Sequence, residues 1–198
     1  MKQALMILDI QNDYLSNQAR MPVAKHQIEP ILKGINDLIR RAEKLNVPIL
    51  YIRNEFERKQ ILSNLLRKFT ALKGSKGAEM DKRLLKAEGV YFSKNKADAF
   101  SNPSLMKYFN NHGIHELIVT GVFIEGCVTA TVEGALARNF AVTVVGDAVA
   151  GATDQSKEAA LNRLASQDIL ILSSEQIFDR ENELLAVRRK NISILIEY

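Results

Sequence analysis

The feature that most constrains the fold of this chain is the alternation of short apolar runs with segments of helical periodicity. Six runs have the length and composition of buried strands. They are residues 4–8, 47–52, 90–93, 115–119, 140–145 and 169–172. Continuous apolar runs are typical of strands that are covered on both faces, as in a parallel sheet between helices. The pattern predicts an α/β fold, a three-layer α/β/α sandwich around a six-stranded parallel sheet.

Segments with helical periodicity lie between most of these apolar runs. Apolar residues recur every three or four positions from Ile28 to Leu45, and a helix is expected there. Residues 57–72 predict a second amphipathic helix, and residues 103–111, 128–139 and 156–166 predict three more. After residue 172 the alternation ends. Residues 174–189 favour a helix, and residues 192–198 favour an extra strand that would be an exposed edge unless it pairs with another subunit or folds back.

Length, charge and cysteine content narrow the class of protein. The chain has 198 residues, which indicates one domain over residues 1–180 and an extension over residues 181–198 at an oligomer interface. Its net charge is +4, but the basic residues are scattered and lack interleaved aromatics, so nucleic-acid binding is not expected. No run is long enough for a membrane helix. With a single cysteine, no internal disulfide can form, and we expect a cytoplasmic protein.

Three chemically distinct side chains stand at or just past the carboxyl ends of different predicted strands: Asp9, Lys94 and Cys127. Ligands of open parallel sheets gather at this edge. Each residue has an ordinary alternative, since Asp9 could be a turn residue and Lys94 a solvated lysine with Lys96 as its competitor. Together they predict an acid, a cation and a thiol on one rim of the sheet.

The chemistry of such a trio is nucleophilic. A free thiol has a pKa near 8.5, and we expect the Lys94 ammonium and the following helix N-terminus to lower the pKa of Cys127. Asp9 can accept the thiol proton and later pass it to a leaving amine. Backbone N–H groups in the turn before the helix would hold the oxyanion. The trio therefore predicts a hydrolase that forms a thioester.

These residues also carry a family resemblance. The chain resembles the isochorismatase-like cysteine hydrolases, the superfamily of nicotinamidase and N-carbamoylsarcosine amidohydrolase, from about Ala4 to Phe178. Residues 8–14, which contain Asp9, are similar to the first motif of that family. Residues 94–100 are similar to its lysine motif, in which the lysine lies six residues before a phenylalanine, and this spacing selects Lys94 over Lys96. Residues 120–128 are similar to its nucleophile motif.

The resemblance implies several further features. The strand order should be 3-2-1-4-5-6, and the peptide bond between Val122 and Phe123 should be cis. The oxyanion should be held by the backbone N–H groups of Phe123 and Cys127. The nicotinamidase branch has an Asp-x-His pair after the second strand, but this chain has Arg53-Asn54-Glu55 there. We therefore expect no metal, no other cofactor, and no preference for nicotinamide.

The leading hypothesis is a metal-independent cysteine hydrolase that cleaves a C–N bond of a small carboxamide, carbamoyl or ureido compound. Two alternatives are an isochorismatase-type vinyl-ether hydrolase and a non-catalytic paralogue that acts as a binding or scaffold protein. The expected partners are a small-molecule substrate and further copies of the chain in a dimer or tetramer. The candidate substrate-binding residues are Tyr14, Arg53, Asn54, Phe100, Phe123 and Ile124, and Glu125 is also near the position where a substrate would be read.

Overall fold

The sheet has six parallel strands in the order β3-β2-β1-β4-β5-β6. This order confirms both the predicted sandwich and the topology implied by the family resemblance. The computed structural model describes residues 2–167 and 169–178. The strands are β1 Lys2–Leu8, β2 Ile49–Asn54, β3 Val90–Lys94, β4 Ile114–Val122, β5 Ala141–Ala150 and β6 Leu170–Leu172.

Helices cover both faces of this sheet. They are α1 Asn12–Leu15, α2 Lys25–Lys44, α3 Ile61–Leu66, α4 Pro103–His112, α5 Thr129–Leu136 and α6 Asp154–Ala165. The central strand β1 has alternating side chains, with Leu5 and Ile7 in the cluster that contains the apolar stripe of α2. Its other apolar residues, Ala4, Met6 and Leu8, pack with residues of α4, α5 and α6. All five are fully buried, so burial on both faces accounts for the unbroken apolar run.

Several strands extend further at their carboxyl ends than the apolar pattern predicts. Strand β2 continues to Asn54 and β3 continues to Lys94, and these two residues are paired in register. Strand β4 continues to Val122 and β5 to Ala150. Polar residues can occupy these positions because the strand ends form the rim of the sheet. The extension brings the end of β2 beside the predicted lysine.

The predicted helix over residues 57–72 is wrong in length. Only α3, Ile61–Leu66, is helical. Lys68, Phe69 and Ala71 have positive φ angles, which are incompatible with a continuing right-handed helix. The buried residue of α3 is Asn64, whose amide donates to the Glu57 carbonyl at 2.9 Å. The aliphatic side chains face outwards, with residue exposures of 62–87% for Ile61, Leu62, Leu65 and Leu66.

The last predicted elements fall largely outside the described residues. Residues 174–178 form turns, and the remainder of the predicted helix over 174–189 is not described. The extra strand over residues 192–198 also lies beyond the described part of the chain. In the described residues, no helix has the length and apolar character needed to span a membrane.

Candidate active site

Asp9, Lys94 and Cys127 meet at the carboxyl edge of the sheet. Asp9 directly follows β1 and has a φ of 58°, so the chain turns out of the sheet there. Lys94 ends β3, and Cys127 lies in a single π-helical turn, Ile124–Val128, between β4 and α5. The Lys94 Nζ atom is 2.9 Å from Asp9 Oδ2 and 3.2 Å from Cys127 Sγ. The three residues selected from sequence are therefore in contact.

The acid and the cation of this trio are withdrawn from water. Asp9 is 1% exposed and Lys94 is 4% exposed. Burial raises the pKa of Asp9, although the neighbouring Lys94 ammonium opposes the shift. Burial would lower the pKa of Lys94, but the negative charges of Asp9 and of the Cys127 thiolate outweigh it, and the pKa is raised. Lys94 is consequently a fixed cation at neutral pH.

The pKa of the Cys127 thiol is raised, whereas the sequence predicts that it is lowered. Burial and the Asp9 carboxylate raise the pKa of Cys127 to about 11, and the Lys94 ammonium offsets only part of this. The cation is visible in the sequence motif, but the burial of the thiol and its closeness to the Asp9 carboxylate are properties of the fold. The thiol is therefore protonated at neutral pH, and forming the thiolate requires that its proton move to a neighbouring base.

Asn54 links the trio to the wall of the site. Its Oδ1 accepts a 2.6 Å hydrogen bond from Lys94 Nζ, and its Nδ2 lies 3.7 Å from Cys127 Sγ. The same Nδ2 donates to the Tyr14 hydroxyl at 3.3 Å. The Tyr14 ring in turn meets the Phe123 ring edge to face, with 5.4 Å between centroids. Tyr14, Asn54 and Phe123, three of the six candidate substrate-binding residues, are thus in or next to the trio.

The other three candidates are not brought to this position. The Arg53 guanidinium forms an ion pair with Glu55 at 3.1 Å. Phe100 packs in the core against Phe109 and Phe140, with ring centroids 6.0 and 5.7 Å away. Ile124 is fully buried in the same core cluster. The sequence predicts that both apolar residues line the site, but Phe100 and Ile124 lie in turns beyond the strand ends, and both side chains belong to the core.

Glu125 also has a structural partner. Its carboxylate accepts hydrogen bonds from the Ala152 N–H at 2.8 Å and from the Ser156 hydroxyl at 3.0 Å. These groups lie just before and within the first turn of α6, where a helix favours negative charge. Glu125 therefore anchors the nucleophile turn to α6, in contrast to the expectation that it reads the substrate.

The backbone before Cys127 passes very close to β1. Gly121 has a φ of +118°, and a Cβ atom there would lie 2.0 Å from the Leu8 carbonyl oxygen. Only glycine fits at such a close approach of two strands. The following Val122–Phe123 peptide bond is cis, at the position that the family resemblance implies.

Gln11 supports the site and is not among the residues predicted from the sequence. Gln11 is fully buried, and its side chain makes three hydrogen bonds, two of them to the backbone of Asn54. The available signal was a glutamine two residues after Asp9, at the end of an apolar strand. Its partners could not be identified from sequence because they are 43 and 67 residues away.

With this geometry established, comparison with known proteins assigns the chain to a family. The family model described as Isochorismatase domain matches residues 3–176. The chain belongs to the isochorismatase family. The match includes Asp9, Lys94 and Cys127, and it confirms the resemblance found from the sequence motifs.

Individual relatives of this isochorismatase-family chain are distant. It is 28% identical over 164 residues to an N-carbamoylsarcosine amidase of an Arthrobacter species, a match that covers 76% of this chain and 61% of the amidase. It is 26% identical over 163 residues to a probable inactive nicotinamidase of Arabidopsis thaliana, with coverages of 77% and 82%. An isochorismatase-like hydrolase structure from Alkaliphilus metalliredigens superposes with a TM-score of 0.81 at 23% identity, covering 91% of this chain and 99% of the other.

The metal site of the nicotinamidase branch does not fit the side chains present here. The Asn54 oxygen accepts a hydrogen bond from Lys94, and Glu55 is paired with Arg53. Within residues 2–167 and 169–178, no three His, Cys, Asp or Glu side chains cluster as a metal site would require. The side chains around the trio therefore do not form the metal site of that branch.

Proposed function

We propose that this protein is a metal-independent cysteine hydrolase that cleaves a C–N bond of a small carboxamide, carbamoyl or ureido compound. The observation that carries the proposal is the position of Lys94 Nζ, 2.9 Å from Asp9 Oδ2 and 3.2 Å from Cys127 Sγ. Membership of the isochorismatase family and the similarity to an N-carbamoylsarcosine amidase support the reaction class.

The first step is proton transfer within the trio. Asp9 accepts the thiol proton, and the Cys127 thiolate that remains lies beside the Lys94 ammonium. The Asp9 Oδ1 atom is buried and accepts no hydrogen bond from another described residue, which leaves it available for a proton. The transfer exchanges a carboxylate and a thiol for a carboxylic acid and a thiolate. The net charge of the buried site is unchanged, so the transfer buries no additional charge.

The thiolate then attacks the substrate carbonyl carbon, and the C–N bond breaks after a tetrahedral intermediate. Asp9 returns its proton to the departing nitrogen, which leaves as ammonia or an amine. The carbonyl oxygen becomes an oxyanion, and we assign the N–H groups of Phe123 and Cys127 to it. Within the described residues, the Phe123 N–H has no other acceptor. Water, deprotonated by the same Asp9, finally cleaves the thioester.

The neighbouring side chains favour a small and partly polar substrate. Tyr14 is 4% exposed, and burial raises the pKa of its hydroxyl further above the physiological range. The hydroxyl thus stays protonated, beside the Asn54 amide and the Phe123 ring. We assign these three residues to the substrate pocket. We also propose that the protein assembles into a homo-oligomer, and the exposed aliphatic residues of α3 support this.

A panel of small primary amides, carbamoyl compounds and ureido acids, scored by ammonia release, tests the proposal. We expect at least one compound to be hydrolysed by the wild-type protein, with the signal lost in the Cys127→Ala variant. A vinyl-ether substrate that is cleaved equally well by both proteins, together with no ammonia release, would instead identify the ether hydrolase. Absence of turnover on every compound by a folded protein would favour the non-catalytic paralogue. The similarity to a probable inactive nicotinamidase agrees with that alternative.

A further inference from the structure

We propose that Gln11 and Asn54 form a positioning pair that sets how the Lys94 ammonium meets the Cys127 thiol. The inference rests on the proposed function, because it explains how the same site is assembled. It concerns two neutral side chains, neither of which exchanges a proton in the reaction. Asn54 lies against the trio, and Gln11 lies behind Asn54.

The orientation of the Asn54 amide is dictated by Lys94. An ammonium group has only donors, so the amide atom facing it at 2.6 Å must be the oxygen. The Nδ2 group is thereby turned towards Cys127 Sγ at 3.7 Å and the Tyr14 hydroxyl at 3.3 Å. When the thiolate forms, its sulfur meets two donors, Lys94 Nζ and Asn54 Nδ2. The amide thus contributes to stabilising the thiolate.

The Lys94 ammonium has more neighbours than protons. Asp9 Oδ2, Asn54 Oδ1, the Lys96 carbonyl and Cys127 Sγ lie at 2.9, 2.6, 3.3 and 3.2 Å, but an ammonium has three N–H groups. Its direction is therefore set by competition among these acceptors. Asn54 makes the shortest contact and acts as the fixed point. Without Asn54, three acceptors remain for three N–H groups, and Nζ is drawn towards the Asp9 carboxylate, which is the charged one, and away from the sulfur.

Gln11 holds Asn54 in place by replacing a strand. The chain leaves the sheet at Asp9, so β1 offers no backbone partner to the last residue of β2. The Gln11 side chain supplies both missing bonds: Oε1 accepts from the Asn54 N–H and Nε2 donates to the Asn54 carbonyl, each at 2.8 Å. Nε2 also donates to the Ala78 carbonyl at 2.7 Å. The pairing of β2 is thus continued by a side-chain amide.

The pH dependence of Cys127 alkylation measures how this arrangement affects the ionisation of the thiol, and it requires no substrate. The titratable groups that face the sulfur are Asp9 from the end of β1, Lys94 from β3 and Tyr14 from α1. Iodoacetamide modifies the thiolate, so its rate follows the ionisation of Cys127. A change that only loosens the fold lowers the unfolding midpoint but leaves this profile in place.

For Asn54→Leu, we expect the alkylation profile to move to higher pH by about one unit, because the donor to the sulfur and the anchor of Lys94 are both lost. Asn54→Asp should move it further in the same direction, since it adds an anion beside the thiol. Gln11→Met keeps the length of the side chain but removes its three hydrogen bonds, and it should give a smaller shift of the same sign.

Gln27→Met is the matched control. Gln27 is another buried glutamine that bridges two segments, through bonds to Asp154 and to the Gly151 N–H, and it does not contact the trio. We expect it to lower the urea midpoint as Gln11→Met does, with no shift of the alkylation profile. Profiles of Asn54→Leu and Gln11→Met that superpose on the wild type would overturn the inference.

The two proposals fail in different ways. If alkylation shifts as expected but no amide releases ammonia, the positioning pair stands and the assigned reaction is wrong. If amide hydrolysis depends on Cys127 but the alkylation profiles are unmoved, the reaction stands and the positioning pair is overturned.

Discussion

Cys127→Ser is expected to lower the rate of ammonia release from a substrate amide by roughly 10⁴-fold or more. Serine retains the shape of cysteine, but its hydroxyl is far less acidic than a thiol, and Asp9 is too weak a base to remove its proton. The Sγ atom contacts Lys94 Nζ at 3.2 Å and Asn54 Nδ2 at 3.7 Å, and a serine hydroxyl can meet the same polar groups, so the loss reflects chemistry more than packing. The measurement is initial-rate ammonia release at saturating substrate.

The unfolding midpoint in urea provides the control for this variant. We expect Cys127→Ser to unfold within a few tenths of a kcal/mol of the wild type, because both side chains fit the same position. A folded variant that retains more than about a tenth of the wild-type rate would remove Cys127 from the mechanism. In that case Asp9 would have to activate water directly.

Asp9→Asn is expected to reduce turnover by about 10³-fold, the range for loss of a general acid–base group. Asparagine cannot accept the thiol proton, return it to the departing nitrogen, or activate the water that cleaves the thioester. The same substitution removes the anion that raises the pKa of Cys127, so the thiol should ionise more readily while hydrolysis is lost. Easier ionisation of the thiol together with loss of hydrolysis distinguishes a residue that carries a proton from one that only maintains the thiolate.

Asp81→Asn is the matched control for this change. Asp81 is also a buried carboxylate with a cationic partner, since it is 3% exposed and bonds to Arg83 at 2.7 Å. It has no described contact with the trio. We expect this variant to lose stability but to keep its turnover and alkylation rate. Equal losses of turnover in the two variants would mean that Asp9 acts only by supporting the fold.

The fold and the trio could be predicted because the sequence indicates where the strands end. An apolar run that stops at a polar residue fixes where a parallel strand reaches the rim, and Asp9 and Lys94 both stand at such points. The order of the strands came from the family resemblance, and the sheet confirms it. The thiol was placed correctly at the turn between β4 and α5, but its ionisation depends on burial that a sequence does not display.

Side-chain direction around the site could not be predicted. Asn54 and Arg53 are adjacent, yet one meets Lys94 and the other pairs with Glu55. Phe100 and Ile124 have the composition of pocket walls but are core residues. In α3 the buried side chain is Asn64, and the aliphatic residues of the amphipathic pattern are exposed. In each case the outcome depends on a distant partner.

The most direct test of the account is the pH profile of Cys127 alkylation in the wild type, in Asp9→Asn, and in Asp9→Asn combined with Lys94→Met. We predict that Asp9→Asn moves the profile to lower pH by roughly one to two units, because the opposing anion is gone and the ammonium remains. Adding Lys94→Met should move it back to higher pH. A profile that does not fall in the single variant, or that is identical in the single and double variants, would contradict the claim that Asp9 and Lys94 act on the thiol with opposite sign.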